Sequence, residues 1–178
     1  MSRINYDLTK IKALVLDVDG VVSPSTVMIS DKGEPIRMGN VKDGYALQLA
    51  VKQGLKIAVI TGGGSESVTN RFKILGINDV YQRVADKLPC LHDWMKKNNL
   101  GKEEVIYMGD DIPDLPCMRA VGLPACPRDA TWEIKETSLY ISPFDGGYGA
   151  VRDVVEQVLK AQDKWLSSSE TGHKMFIW

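Results

Sequence analysis

Short, almost wholly apolar runs recur along the chain and are separated by longer stretches of mixed polarity. The runs are rich in valine, leucine and isoleucine, which is typical of strands buried on both faces of a parallel sheet. Strands are predicted at 12–18, 56–60, 79–81, 105–108, 123–126 and 139–141.

The stretches between these runs carry helical signals. Helices are predicted at 44–53, 65–75, 87–98 and 112–121. The pattern is clearest near the end of the chain, where one apolar face recurs at the helical period: Val151, Val154, Val155, Val158 and Leu159. Alternating strands and helices predict an α/β fold of the Rossmann-like kind, with a parallel sheet between two layers of helices.

Residues 21–43 interrupt this alternation. Two extended stretches, 27–29 and 36–38, flank the turn sequence Asp31-Lys32-Gly33. This arrangement predicts a β-hairpin inserted between the first strand and the first helix. We expect a single domain over 1–166 and a separate tail over 167–178, which ends in the apolar sequence Met-Phe-Ile-Trp.

Composition narrows the class of protein. The 178 residues include 22 basic and 23 acidic side chains, a net charge of −1, so we expect neither nucleic acid nor a membrane surface as a partner. Three scattered cysteines indicate a reducing compartment rather than a disulfide framework. Because no apolar run reaches about 18 residues and the N-terminus has no signal-peptide profile, the expected location is the cytoplasm.

Carboxylates follow two of the predicted strands at the point where each ends. Asp17 and Asp19 come after the first strand, and Asp110, Asp111 and Asp114 come after the strand at 105–108. Ligands of open α/β sheets bind outside the carboxyl ends of the strands, so we expect these acids to converge there. Converging carboxylates repel one another unless a cation neutralises them, and an all-oxygen set favours Mg²⁺ over Ca²⁺ or Zn²⁺.

Two further elements could complete a site for phosphoryl transfer. The loop that begins with Thr61 and Gly62 leads into a helix, where a hydroxyl and backbone amides can bind an anion. Lys87 opens the next helix, and its charge opposes the helix dipole unless an anion is near. Each element alone is also typical of an ordinary helix start or a solvated lysine. Together with the acids, they indicate a carboxylate nucleophile, a divalent cation and a lysine acting on a phosphate ester.

The order of these motifs resembles the four motifs of the haloacid dehalogenase-like phosphatase superfamily. The matching segments are 17–21, 61–62, 87 and 109–114. The resemblance implies that Asp17 is the nucleophile and that Asp19 is the general acid and base. It places Asp19, Thr61, Gly62 and Lys87 on the phosphate or the substrate.

The same resemblance implies a magnesium cofactor. Its ligands would be the carboxylates of Asp17 and Asp110 and the backbone carbonyl of Asp19. Asp111 and Asp114 would be supporting acids.

A narrower set of segments is similar to the 3-deoxy-D-manno-octulosonate 8-phosphate phosphatases, a family of small enzymes without a cap domain. These segments are 40–45, 70–72, 75–77 and 146–152. The resemblance implies that the sugar phosphate, a precursor of the lipopolysaccharide core, is contacted by Asn40, Val41, Lys42, Asp43, Gly44, Arg71 and Lys87. It also implies a homotetramer in which the inserted hairpins assemble and a neighbouring subunit helps to close each site. We expect the tail over 167–178 to contribute to that closure.

Two positions depart from this narrower family, in which arginine often stands where this chain has Gly63 and Gln48. Arginine binds a carboxylate in bidentate fashion. Because this chain has no arginine at either position, we expect weaker binding of the carboxylate of an acidic sugar. A related acidic sugar phosphate, such as a nonulosonate 9-phosphate, therefore remains an alternative substrate. The alternatives from other classes are a receiver-like signalling domain and a catalytically silent scaffold.

Overall fold

A computed structural model describes residues 3–33 and 35–166 of the chain. In these residues the strands are β1 (Ala13–Leu16), β2 (Met28–Ile29), β3 (Pro35–Ile36), β4 (Lys56–Ile60), β5 (Asp79–Tyr81), β6 (Val105–Met108), β7 (Leu123–Cys126) and β8 (Tyr140–Ile141). The α-helices are α1 (Val41–Lys52), α2 (Glu66–Ile74), α3 (Lys87–Lys97), α4 (Leu115–Ala120), α5 (Trp132–Thr137) and α6 (Ala150–Ala161). Short 3-10 turns lie at Leu8–Lys10, Lys102–Glu104 and Ile112–Asp114.

The main sheet is parallel throughout, with the strand order β5-β4-β1-β6-β7-β8. β1 is central and pairs with both β4 and β6, and all four of its residues are buried. The carboxyl ends of these three strands therefore open at one edge of the sheet, which is where the acids and the glycine-rich loop follow them.

Helices cover both faces of the sheet. Alternate residues of β1 point to opposite faces: Leu14 and Leu16 pack with α1, α2 and α6, whereas Ala13 and Val15 pack with α3, α4 and α5. The apolar face predicted for the last helix is wholly buried on the first of these faces. The predicted Rossmann-like α/β fold is confirmed.

The inserted hairpin is formed by β2 and β3, which pair antiparallel with Met28 opposite Ile36. Gly33 lies in the turn with a φ of +76°, a conformation that glycine adopts readily. The strands are shorter than predicted, and the hairpin exposes an unusual amount of apolar surface, since Met28 and Ile29 are each 65% exposed. The described residues contain no cap domain between β1 and α1 beyond this hairpin.

One helix is a further difference from the sequence predictions, and one predicted segment cannot be compared with the structure. Helix α5 is not predicted, because six residues are too few to display a helical period. The predicted tail over 167–178 lies outside the described residues. Within 3–33 and 35–166, no helix combines the length and the apolar character needed to cross a bilayer.

Candidate active site

A cleft of about 400 Å³ opens at the carboxyl edge of β1, β4 and β6. Asp17 follows β1 directly and Asp110 follows β6, so the pairing of these two strands brings the two carboxylates together. One oxygen each of Asp17, Asp110 and Asp114 lie within 4.8 Å of one another. The lining also includes Asp19, Thr61, Gly62, Lys87 and Asp111. The structure thus brings together the acids, the loop and the lysine that the motifs place in one site.

Lys87 is buried at the inner side of this cleft, with only 5% of its side chain exposed. It is the first residue of α3, and Asp86 caps that helix by accepting a hydrogen bond from the Leu88 amide at 3.3 Å. The Lys87 ammonium lies 3.0 Å from Asp17 Oδ1 and 2.8 Å from Asp114 Oδ1. Burial opposes its charge, but the two carboxylates outweigh burial, so the pKa of Lys87 is raised and the ammonium stays protonated.

Asp114 is a buried acid that accepts hydrogen bonds from three neighbouring residues. Its Oδ1 accepts hydrogen bonds from the Lys87 ammonium and from the Tyr107 hydroxyl, both at 2.8 Å. Its Oδ2 accepts one from the Asp110 amide at 3.1 Å. Because protein donors occupy both oxygens of this buried carboxylate, Asp114 holds its neighbours in position. Its supporting role in the reaction stays a prediction. Tyr107, inside β6, is a partner that the sequence analysis missed.

The pKa values of Asp17 and Asp110 are both raised, so a proton or a cation at these carboxylates is favourable. Burial, followed by the charge of Asp114, raises the pKa of Asp17 to about 6 even though Lys87 opposes the shift. Burial, followed by the charges of Asp17, Asp114 and Asp111, raises the pKa of Asp110 to about 8. Among the described residues, the cluster around these two carboxylates contains no cysteine or histidine, so its donor atoms are all oxygens. Such a donor set suits a hard divalent cation.

Gly20 makes room for Asp110. Its φ is +83°, and a Cβ at this position would lie 1.9 Å from Asp110 Oδ2. Any other residue would therefore push the carboxylate out of the acidic cluster as well as strain the backbone.

The loop after β4 lines the same cleft as the acids. Thr61 is buried, and its hydroxyl accepts a hydrogen bond from the Gly63 amide at 3.2 Å. Ser65 precedes α2 at the N-cap position, but its side chain does not cap the helix. Gly62 and Gly63 line the cleft and expose their backbone to it, which is suitable for binding an anion.

Some of the residues predicted to bind the sugar phosphate lie outside the acidic cleft. Asn40, Val41 and Lys42 line a separate cavity of about 910 Å³ between α1 and α6. Asn40 caps α1 and donates a hydrogen bond to the Gly147 carbonyl at 3.1 Å. In the part of the chain that the structure describes, these three residues do not line the acidic cleft.

Asp43, Gly44 and Arg71 also have partners outside the cleft. The buried Asp43 carboxylate accepts hydrogen bonds from the amides of Gly149, at 3.2 Å, and Arg152, at 2.7 Å. Arg71 packs over Gly44, where a Cβ would lie 2.5 Å from its Nη2 atom. Within one described chain, the segment 40–44 therefore joins α1 to the start of α6.

Asp19 lies at the edge of the cleft, where an unpredicted residue holds its carboxylate. Arg37, next to β3, donates from Nε to Asp19 Oδ1 at 2.6 Å and from Nη2 to Asp19 Oδ2 at 2.7 Å. From the sequence alone, Arg37 is assigned only to the second extended stretch of the hairpin. The one sequence feature related to this contact is Gly63, because the absence of a side chain there leaves space for the Arg37 guanidinium.

The parallel sheet, the acids after β1 and β6, and the lysine at the start of α3 define the class of haloacid dehalogenase-like hydrolases. The family model for the haloacid dehalogenase-like hydrolase matches residues 44–126. The 3-deoxy-D-manno-octulosonate 8-phosphate phosphatases of Yersinia pestis and Escherichia coli K12 are 36% and 38% identical to this chain over 154 residues, which are 86% of the chain and 82% of each relative. The chain therefore belongs to the 3-deoxy-D-manno-octulosonate 8-phosphate phosphatase family.

Solved structures agree with this assignment. The crystal structure of the Moraxella catarrhalis phosphatase of this family, in complex with a magnesium ion, a phosphate ion and a KDO molecule, is 35% identical with a TM-score of 0.85, covering 89% of this chain and 91% of that one. A Legionella pneumophila hydrolase of the superfamily is 33% identical with a TM-score of 0.87, covering 96% of this chain and 91% of that one. Membership of a phosphatase family favours an enzyme over the receiver-like and scaffold alternatives.

Proposed function

We propose that this chain is a Mg²⁺-dependent phosphatase that hydrolyses 3-deoxy-D-manno-octulosonate 8-phosphate to the free octulosonate and phosphate. The observation that carries the proposal is the contact of Asp17 with the buried Lys87, 3.0 Å apart, in a cleft that the Thr61 loop also lines. The curated relatives are named for this reaction, and the Moraxella catarrhalis structure holds magnesium, phosphate and KDO.

In this proposal Asp17 attacks the phosphorus atom and forms an aspartyl phosphate. The Lys87 ammonium, the Thr61 hydroxyl and the amides of the following glycines bind the oxygens of the phosphoryl group. Asp19 donates a proton to the oxygen of the leaving sugar, then accepts one from the water that hydrolyses the aspartyl phosphate. Asp19 must therefore change its hydrogen bonds during the reaction, because Arg37 holds both of its oxygens.

The cation would be held by the carboxylates of Asp17 and Asp110 and the backbone carbonyl of Asp19. When bound, Mg²⁺ supplies positive charge that offsets the charge on the phosphoryl oxygens. Asp17 needs a neighbouring positive charge, since a nucleophile with a pKa of about 6 is partly protonated near that pH. Lys87 supplies one such charge from the chain itself.

A release assay on a panel of substrates tests this function. Phosphate release with Mg²⁺ is measured for 3-deoxy-D-manno-octulosonate 8-phosphate, a nonulosonate 9-phosphate and arabinose 5-phosphate. We expect the octulosonate to be preferred and Asp17→Asn to be inactive on all three. Full activity of Asp17→Asn would contradict the nucleophile, whereas a preference for the nonulosonate would change the substrate and leave the reaction in place.

We also propose that the enzyme is a cytoplasmic homotetramer built through the inserted hairpins, with residues 1–166 as one phosphatase domain. The support is the apolar surface of Met28, Ile29, Ile36 and Met38, which water meets in a single chain. Light scattering on the wild type and on Ile29→Lys tests this assembly. A monomeric wild type would contradict it, and we expect the charged variant to dissociate.

A further inference from the structure

Arg37 differs from its two neighbours in the hairpin because its side chain is turned towards the protein. Its neighbours Ile36 and Met38 are 47% and 54% exposed, whereas only 9% of the Arg37 side chain is exposed. The guanidinium reaches the end of β1, 18 residues back along the chain, and forms a bidentate pair with Asp19. The hairpin thus delivers one buried cation to the edge of the acidic cleft.

The space that Arg37 enters exists because residue 63 has no side chain. A Cβ at Gly63 would lie 2.5 Å from Arg37 Nη2 and 3.4 Å from Asp19 Oδ2. In this chain a guanidinium from another segment occupies the place next to the Thr61 loop.

The pair with Asp19 does not satisfy the guanidinium. Nη1 of Arg37 is buried and has no hydrogen-bond partner among the residues that the structure describes. A buried unpaired donor on a charged group is unfavourable, and such groups normally have a protein, water or ligand partner. The guanidinium could gain acceptors for this nitrogen by turning from Asp19 towards an anionic ligand in the cleft.

We propose that Arg37 binds the carboxylate of the sugar acid and so determines the preference of this enzyme for acidic sugar phosphates. The proposal rests on the proposed function. Asp19 acts on the leaving oxygen, so a cation beside Asp19 faces the sugar, while Thr61 and Lys87 serve the phosphate. A substrate carboxylate offers Arg37 the same bidentate geometry that Asp19 offers, and the exchange frees Asp19 for proton transfer.

Arg37→Met tests this role, because methionine keeps much of the apolar stem and removes the charge. Values of kcat/KM are compared for 3-deoxy-D-manno-octulosonate 8-phosphate and arabinose 5-phosphate, which has no carboxylate. We expect the loss on the acidic substrate to exceed the loss on the neutral one by about 10- to 100-fold, mainly through KM. Arg128→Met is the matched control, since Arg128 forms a similar bidentate pair with Asp145 on the surface and should leave the ratio unchanged.

A second variant restores the charge from the other position. Gly63→Arg in the Arg37→Met background should recover part of the preference for the acidic substrate, because the new side chain enters the vacated space. Equal losses or equal gains on both substrates would overturn the proposal and make Arg37 a residue that only holds Asp19. A wild type that shows no preference for acidic substrates would contradict the proposed function as well, so the two failures are distinguishable.

Discussion

The buried Asp114 carboxylate lies 2.8 Å from the Lys87 ammonium. Lys87 also lies 3.0 Å from Asp17, so one buried acid fixes the direction in which the lysine charge reaches the nucleophile. The site is therefore oriented by a residue that we expect neither to bind substrate nor to react.

Replacing Asp114 with asparagine should lower kcat by about 10- to 100-fold, because Lys87 loses the charge that holds it in position. The KM for the phosphate ester should change less than kcat. Asp93→Asn is the matched control, since Asp93 is an exposed carboxylate on the same helix as Lys87 and is not among the residues that line the cleft. Steady-state kinetics on both variants check the prediction, and equal effects at the two positions would contradict it.

The contact between Gly20 and Asp110 gives a second prediction. Gly20→Ala should abolish Mg²⁺-dependent turnover, because the added Cβ would lie 1.9 Å from Asp110 Oδ2. Gly33→Ala is the control: its φ of +76° is similar, but among the described residues no atom beyond its chain neighbours lies within 4 Å of the added Cβ. Both variants should lose about 1 kcal/mol of stability from the backbone, and only the first should lose metal binding in calorimetry.

The raised pKa of Asp110 predicts how stability without metal depends on pH. Its pKa is about 8 in the folded chain against an ordinary value of 3.8, so the folded state binds the proton more tightly than the unfolded state. The ionised carboxylate therefore costs stability above pH 8, and this cost shrinks as the pH falls towards 3.8. In EDTA at pH 8, Asp110→Asn should be more stable than the wild type by about 1–3 kcal/mol, with the gap closing towards low pH.

Magnesium should reverse this order. Added Mg²⁺ should raise the Tm of the wild type, because it binds the folded state, and should raise that of Asp110→Asn much less. Asp93→Asn, an exposed position on α3, should behave like the wild type throughout. Thermal scans in EDTA and in Mg²⁺ across pH measure both effects, and equal Mg²⁺ shifts in all three proteins would remove Asp110 from the proposed ligands.

Much of the fold could be predicted because its signals are local. β1, β4 and β6 are short apolar runs that identify themselves, and the acids that follow β1 and β6 must share an edge once the strands pair in parallel. The apolar stripe of α6 fixes its buried face in the same way. The site could be predicted from the order of the motifs, because each motif residue lies just beyond the end of a strand or at the start of a helix.

The missed contacts depend on how distant segments meet in three dimensions. Arg37 can pair with Asp19 only because the hairpin folds back towards the end of β1. The alternation of apolar and polar residues predicts the hairpin but not its orientation relative to β1. Tyr107 appears in the sequence as one more apolar strand residue, although its hydroxyl donates to Asp114. Asp43 appears as a helix-start residue or a substrate ligand, and only the packing of α1 on α6 shows which backbone amides it accepts from.

Asp43 therefore gives the last prediction. Its buried carboxylate accepts from the amides of Gly149 and Arg152, which the start of α6 would otherwise leave unpaired. Asp43→Ala should cost about 2–3 kcal/mol and lower the Tm by roughly 5–10 °C, whereas Asp93→Ala should change it little. Differential scanning calorimetry measures the loss. An unchanged Tm together with a raised KM would instead assign Asp43 to substrate contact, as the family resemblance implies.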